Sequence, residues 1–411
     1  MPDDVASGPL AGVRVLDLTQ VMAGAYCSAL LADMGADVVK VERPDRGDDT
    51  RAMGGTDVEA SPAFAAMNRN KRGLALDLKD ERGAAALRRL VATADVLVEN
   101  FRPGTLDRLG LGYADLRALR PELVYCSISG FGATGPYSGQ GGFDLVAQAM
   151  SGLISMTGEP GGGPVKVGVP ICDLNAGLFG AYGVLSAFVH RLRTGEGQLV
   201  DTSLLEGGIA YTVWETALLF GTGQVAGPLG SAHRLSAPYE VLPTADGWVA
   251  IGAANQRNWV RLCEVLGSPE LLADDRFIHN QARMAHRGAL ADELASRLRR
   301  RTTEEWVDLL STAGVPCGPL YDLEQVYADP HVQARGMLVS TQHPRLGEVR
   351  HIGPPVKLSA TPAAIRRTAP LLGEHSRAVL AEGGLDAAEI DELLAAGVAR
   401  EPVDERQAVV R

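Results

Sequence analysis

The sequence predicts an α/β protein whose amino-terminal part is a doubly wound parallel sheet and whose middle is a separate, smaller α+β domain. Three observations carry this. Short apolar runs alternate with helix-length segments from Val13 onward, strand then helix then strand within about 30 residues. That unit recurs as far as Ser129. Past Leu235 the pattern changes to a hairpin signal followed by consecutive helices.

Taken in order, Val13–Leu18 reads as a buried strand, Ala23–Met34 as a helix stopped by Gly35, and Asp37–Glu42 as the next strand. Leu74–Leu78 is a strand, Arg82–Ala94 a helix and Asp95–Asn100 a strand; Tyr113–Leu119 is helical and Leu123–Ser129 extended. The segment from Gly130 to Gly142 holds six glycines and no periodicity, so it is a loop at the carboxyl end of a strand, where ligands bind in open α/β sheets. Phe143–Met156 reads as one helix of small and apolar residues, and Glu159–Pro164 as a second glycine loop. Pro170 closes the segment that follows, and a long apolar helix starts near Leu174. Gln198–Thr202 is a strand and Leu204–Phe220 a helix. Glycines at 221, 223, 227 and 230 then form a linker into a domain spanning residues 225–325, with an Asp246-Gly247 hairpin and helices at 258–266, 287–299 and 303–313. The tail adds two short helices from Glu324, a strand near His351, a helix over Asp386–Ala396 and ten terminal residues that read as frayed.

Composition excludes several classes. A net charge of −11 argues against a nucleic-acid binder. Five cysteines without a CxxC pair, and eight histidines without HxH or HxxxH, give neither a disulfide framework nor a metal site. The start Met-Pro-Asp-Asp has no secretory features, and no run of about 18 apolar residues is uninterrupted, so a reduced, cytoplasmic protein without a membrane span is expected. A phosphate-binding GxxxxGK[ST] loop, a GxGxxG turn and a GxSxG elbow are all missing from the expected contexts.

What remains is a set of cations at predicted strand ends: Arg43, then Lys71 and Arg72 before the third strand, Lys79 after it, and Arg102 and Arg108 after the fourth. With only five lysines in the chain, this clustering points to a phosphate-bearing ligand, although each charge alone could simply solubilise a loop. The second candidate is Asp173, at the mouth of the long apolar helix. An aspartate there is either an N-cap, contributing about 1 kcal/mol, or a reactive carboxylate held among backbone N–H donors. Cys172 beside it is a rival nucleophile, or a small buried apolar residue.

Several runs resemble the class III CoA-transferase family, over about residues 9–400: Leu10–Thr19, Leu31–Glu42, Asn68–Lys79, Val98–Gly104, Gly130–Tyr137 and Ala369–His375. The resemblance implies a large CoA-binding α/β domain built from both chain ends (1–224 and 326–411), with the small domain (225–325) inserted, and an interlocked homodimer. It places the acyl-carrying aspartate on Asp173, and CoA contacts on Val21, Arg43, Leu76, Lys79, Asn100, Phe101, Arg102, Arg108, Phe143 and Asp144. CoA and acyl-CoA enter as substrates, with no metal. Gly47–Arg51, and Gly230–His233 followed by Pro238-Tyr239, resemble the branch that uses succinyl-CoA with dicarboxylates; His233 and Arg234 are the candidates for a distal carboxylate. Gln20 and Met22 stand where some formyl-CoA transferases have His and Gln, and Gly252-Ala253-Ala254-Asn255 replaces a tetraglycine loop, which turns the expectation away from formyl-CoA and oxalate. The family also holds 2-methylacyl-CoA racemases, whose His–Asp pair falls here on Phe143-Asp144; Phe143 exchanges no proton. A non-catalytic CoA-binding regulator is the alternative from another class.

Overall fold

A computed structural model describes residues 8–54 and 61–402. Of the ten terminal residues read as frayed, all but Pro402 lie outside the described residues. The chain divides into two compact units. The first takes residues up to 153, 166–224 and from 331 onward; the second takes 154–165 and 225–330. Residues 154–165, which the sequence assigns to the large domain, therefore belong to the second unit.

The first unit is organised by a seven-stranded sheet. Strands β1 (Arg14–Asp17), β2 (Asp37–Glu42), β3 (Lys71–Leu76), β4 (Val96–Glu99), β5 (Val124–Ser129) and β6 (Leu199–Ser203) are parallel, in the order β3-β2-β1-β4-β5-β6. A two-residue strand, Ala399–Arg400, adds antiparallel to β3, so the end of the chain completes the sheet that its beginning starts. After β3 the chain crosses back to the far side of β1, which makes the gap between β1 and β4 the topological switch point. The strands are nearly all apolar because both faces are covered. Leu16, Val39, Leu74 and Leu97 face α2 (Glu81–Val91), α3 (Tyr113–Leu119) and the helices Ser376–Glu382 and Ala387–Ala395. The alternate residues Val15, Val38, Val96 and Val124 face α1 (Ala23–Asp33) and the long helix at Ile171–Thr194. Each such Val or Leu removed from water contributes about 1.5–3 kcal/mol.

The predicted helix Phe143–Met156 is broken. It forms α4 (Asp144–Met150) and a single turn at Leu153–Met156, because Gly152 takes φ +88° between them. The helix Ile171–Thr194 is α5; Leu204–Ala210 is α6 and Val213–Thr222 is α7. The predicted helix 204–220 is likewise split, with Thr212 Oγ1 bonding back to Ile209 O at 2.9 Å. Helix α5 lies close on its neighbours through small residues: a Cβ on Gly177 would sit 2.5 Å from Ala23 O, and one on Gly183 2.4 Å from Val200. Because Gly177 meets the first residue of α1, the start of α5 is at the carboxyl edge of the sheet. By length and composition alone α5 could span a bilayer, and its Cys172, Ala176 and Val184 are core residues of this unit.

The second unit is α+β. Strands β7 (Tyr239–Pro243), β8 (Trp248–Gly252) and β9 (Cys317–Pro319) form an antiparallel sheet, its hairpin closed by Thr244 N–H to Gly247 O at 2.9 Å. Helices at Gln256–Val265, Arg287–Leu298 and Thr303–Thr312 pack a core of Trp259, Leu262, Phe277, Leu290, Leu294 and Trp306.

Candidate active site

The carboxyl edge of the sheet carries two groups of chemistry-bearing residues in the first unit. One is a cleft of about 1110 Å³ over the ends of β1, β2 and β3. Its walls include Gln20, Arg43, Arg46, Lys79 and Arg400 among the polar residues, and Leu76, Leu78 and Phe101 among the apolar ones. Four of the sequence-predicted CoA contacts, Arg43, Leu76, Lys79 and Phe101, therefore share one cavity. Lys79 has no ionic or hydrogen-bonding partner for its ammonium among the described residues. Arg43 is shared with Asp49 at 2.8 Å and Gly47 O at 3.2 Å.

Val21 and Asn100 stand at the switch point beside this cleft. Asn100 accepts from Gln20 N–H and donates to Gln20 O, both at 2.7 Å, so its side chain ties the β4 loop to the β1 loop. Val21 has φ +63°. Arg102, Arg108 and Phe143 lie outside the cleft lining. Arg102 lies against Gly141, where a Cβ would be 3.0 Å from its Nη2; Arg108 donates to Thr105 Oγ1 at 3.3 Å; and Phe143 is 78% exposed. His233 and Arg234 are in the second unit. There His233 Nδ1 accepts from Leu235 N–H at 3.1 Å and Arg234 donates to Gly227 O at 2.6 Å.

Two cations read from the sequence as phosphate ligands have other partners. Lys71 and Arg72 begin β3, at the opposite edge. Lys71 is fully buried and donates to Asp17 Oδ2 and Asn68 Oδ1, each at 2.8 Å; Arg72 pairs with Asp37 at 2.6 Å and Glu382 at 2.7 Å. The Gly47–Arg51 motif is also internal: Asp48 is paired with Lys40 at 2.9 Å, and Arg51 with Glu42 at 2.7 Å beneath the Phe64 ring.

The second group is built where α4 meets the start of α5. The glycine loop closes at its base because Gly130 and Gly142 touch backbone to backbone, where a Cβ on Gly130 would be 2.6 Å from Gly142 Cα. This delivers Asp144 to the first turn of α5. Asp144 Oδ1 accepts from Cys172 N–H at 2.9 Å and Asp173 N–H at 3.4 Å, while Oδ2 accepts from Gln148 at 2.6 Å. Gln148 in turn accepts from Val167 N–H at 2.9 Å, fixing the approach to the helix.

Asp144, not Asp173, is thus the cap of α5. The sequence reading holds Asp144 as a CoA contact and leaves Asp173 either a cap or a reactive carboxylate; a side chain 29 residues upstream takes the capping role. The Asp173 carboxylate accepts no hydrogen bond among the described residues. It is half-buried, and burial together with the Asp144 charge raises its pKa to about 7. The positive end of the α5 dipole acts the other way and favours the anion. Cys172 is fully buried, with its thiol pushed up to about 11 by burial and Asp144, which leaves no thiolate to compete. A half-buried carboxylate with free lone pairs, ionising near neutrality at a helix start, can act as a nucleophile toward an acyl group.

The model of the CoA-transferase family III matches residues 10–376. A succinate–glutarate CoA-transferase of Agrobacterium fabrum is 41% identical over 381 residues, covering 91% of this chain and 95% of that protein. An acetyl-CoA:oxalate CoA-transferase of Acetobacter aceti is 39% identical over 377 residues, covering 91% of this chain and 96% of that protein. A crystal structure of a CAIB/BAIF family protein from Brucella suis superposes with a TM-score of 0.83 at 38% identity, over 92% of this chain and 100% of that one. The chain belongs to the CoA-transferase family III and is a CoA transferase.

Proposed function

We propose that this enzyme moves CoA from succinyl-CoA to a dicarboxylic acid, with Asp173 as the covalent relay. The observation that carries the reading is the division of labour at the start of α5: Asp144 caps the helix and leaves the Asp173 carboxylate unpaired. The Asp173 carboxylate attacks the thioester carbonyl and the C–S bond breaks, giving a mixed anhydride and CoA thiolate. The thiolate attacks the aspartyl carbonyl, releasing succinate and forming an aspartyl-CoA thioester. The acceptor carboxylate attacks that carbonyl, regenerating thiolate and an acceptor anhydride. Thiolate attack on the acceptor acyl carbon yields the new acyl-CoA and frees Asp173. No proton is gained or lost overall, which suits a carboxylate rather than an acid–base pair. Each step builds an oxyanion that backbone N–H groups at Gly141-Gly142 would hold.

The phosphates of CoA fit the cleft cations Arg43 and Lys79, and the pantetheine arm fits its apolar floor at Leu76 and Phe101. Arg102, Arg108 and Phe143 would touch CoA only beyond the cleft, and His233 and Arg234 are proposed to read the distal carboxylate of the acceptor. Both named relatives act on dicarboxylic acids, succinate and glutarate in one and oxalate, with acetyl-CoA, in the other. Succinyl-CoA is favoured here by the Gly230–Tyr239 motif. A homodimer is supported by an exposed apolar stripe along α5, Leu178, Tyr182, Leu185, Val189 and Leu192, at the three-to-four spacing of a helix face seeking a partner. The free cysteines accord with a reducing, cytoplasmic setting.

The test is incubation of succinyl-CoA labelled in its CoA moiety with a panel of mono- and dicarboxylic acids. Label should appear in dicarboxylic acyl-CoA products. Absence of exchange with every acid would sink the donor and acceptor assignments together.

A further inference from the structure

The first turn after β1 is held in a way that the acyl chemistry does not require. Four consecutive backbone groups in Thr19-Gln20-Val21 are bonded by side chains from other elements. Lys40 Nζ donates to Thr19 O at 2.5 Å; Asn100 brackets Gln20 on both N–H and O; and Asp48 accepts from Val21 N–H at 3.2 Å on each oxygen. Lys40 and Asp48 are themselves an ion pair at 2.9 Å with both side chains fully buried. Thr50 completes the acceptor set on Asp48, with its N–H at 2.9 Å and its hydroxyl at 2.7 Å.

This clamp holds a conformation the chain would otherwise avoid. Val21 at φ +63° is a β-branched residue in the left-handed region, where such side chains clash with their own backbone. Strain of this kind persists only where surrounding structure over-determines it, and it concentrates at functional sites. The residue it presents is Gln20, which lines the 1110 Å³ cleft. Gln20 Oε1 is a buried atom with no hydrogen-bond partner among the described residues, an acceptor whose burial goes uncompensated until a ligand N–H reaches it. Strand order fixes where along a ligand Gln20 would fall. Lys79 and Arg43 follow β3 and β2, Gln20 follows β1, and the first turns of α5 lie against Ala23 of α1 and Ile128 of β5. Gln20 thus stands between the cations and Asp173, opposite the stretch of CoA that joins phosphate to thioester. That stretch carries amides and a hydroxyl.

We propose that the buried Lys40–Asp48 pair is a positioning device for acyl-CoA: it holds Val21 in its left-handed conformation and so aims Gln20 at the pantetheine arm. This rests on the CoA reading of the cleft. Asp48 and Lys40 act through the turn and touch no reacting atom.

The experiment measures Kd for CoA and for adenosine 3′,5′-bisphosphate, which lacks the arm, with kcat and KM for succinyl-CoA, on wild type and four variants. Gln20→Ala should weaken CoA about tenfold and leave the bisphosphate unchanged. Asp48→Asn should raise KM with kcat retained. Its loss should shrink in the Val21→Gly background, since glycine adopts the left-handed turn without a clamp. Val21→Gly alone, at a residue the family resemblance makes a CoA contact, supplies the reference for that comparison. A folded Gln20→Ala variant that binds CoA as wild type does overturns the proposal, even if Asp48→Asn fails to fold. Equal loss of CoA and bisphosphate, or an undiminished Asp48→Asn loss with Val21→Gly, overturns it as well. If wild-type enzyme binds neither ligand, the CoA reading of the cleft falls and takes this inference with it.

Discussion

Asp17, at the end of β1, and Asp173, at the start of α5, are aspartates on the same edge of one sheet, and their surroundings are opposite. Asp17 accepts four hydrogen bonds, from Thr19 N–H and hydroxyl, Ser28 and Lys71, and has Lys40 at 4.0 Å. Burial alone would raise its pKa, but Lys40 and Lys71 hold it well below the usual carboxylate range. Among the described residues Asp173 has no hydrogen-bond donor, it has a carboxylate neighbour, and its pKa is raised to about 7. A fully satisfied buried charge is locked into the fold, whereas an unsatisfied one keeps its lone pairs for a reaction.

The most severe break of this contrast is Asp173→Asn. It should lower CoA exchange by about 10⁴-fold or more while leaving CoA affinity intact, because the amide cannot form the anhydride. Retained turnover in a steady-state exchange assay would move the nucleophile elsewhere, with Cys172→Ser the next variant. The matching change on the other side, Asp17→Asn, leaves Lys40 and Lys71 buried with a single acid between them. It should cost about 3–5 kcal/mol in urea unfolding and leave turnover per folded molecule unchanged. Stability within experimental error of wild type would show that the network is not structural.

The same contrast separates two lysines at a smaller scale. Lys71 is enclosed by partners, while the Lys79 ammonium faces the cleft without one. Lys79→Ala is expected to weaken CoA about tenfold, with a shallower dependence of affinity on salt and no loss of stability. Arg43→Ala should weaken it less, since Asp49 already engages that guanidinium. Calorimetric titration at two ionic strengths reads both.

Much of the fold is legible in the sequence, because strands covered on both faces read as unbroken apolar runs and Gly35 marks where the first helix stops. The strand order is not, nor is the return of Ala399–Arg400 to the edge of β3; both depend on pairings between distant segments. Lys71 departs from the sequence expectation for a simple reason. Sequence shows that a cation adjoins a strand but not at which edge its charge ends up, or whether an acid on the neighbouring strand takes it. The missed clamp did leave a signal: Lys40 interrupts the apolar run Val38–Val41 and Glu42 ends it, and charges in a central strand must find buried partners. Asp173 was legible as a carboxylate at a helix start. Its freedom to react was not, since that depends on Asp144 capping the helix from across a glycine loop.

The finest test of the contrast leaves Asp173 in place and alters its neighbour. Asp144→Asn keeps an oxygen for Cys172 N–H, removes the negative charge and loses the bond from Gln148. Since the Asp144 charge is the second cause, after burial, of the raised Asp173 pKa, that pKa should move down in the variant. Wild-type exchange should fall below about pH 7 as Asp173 is protonated, and the acidic limb should lie at lower pH in Asp144→Asn, with a plateau changed only a few-fold. Stability moves in the matching sense. A carboxyl whose folded pKa is raised from 3.8 to about 7 loses its contribution as pH climbs through that window. Asp173→Asn should therefore raise the melting temperature above pH 7 and leave it unchanged near pH 4. An acidic limb that stays fixed in Asp144→Asn would mean that burial alone sets the titration of Asp173, and Asp144 would then be a cap and nothing more.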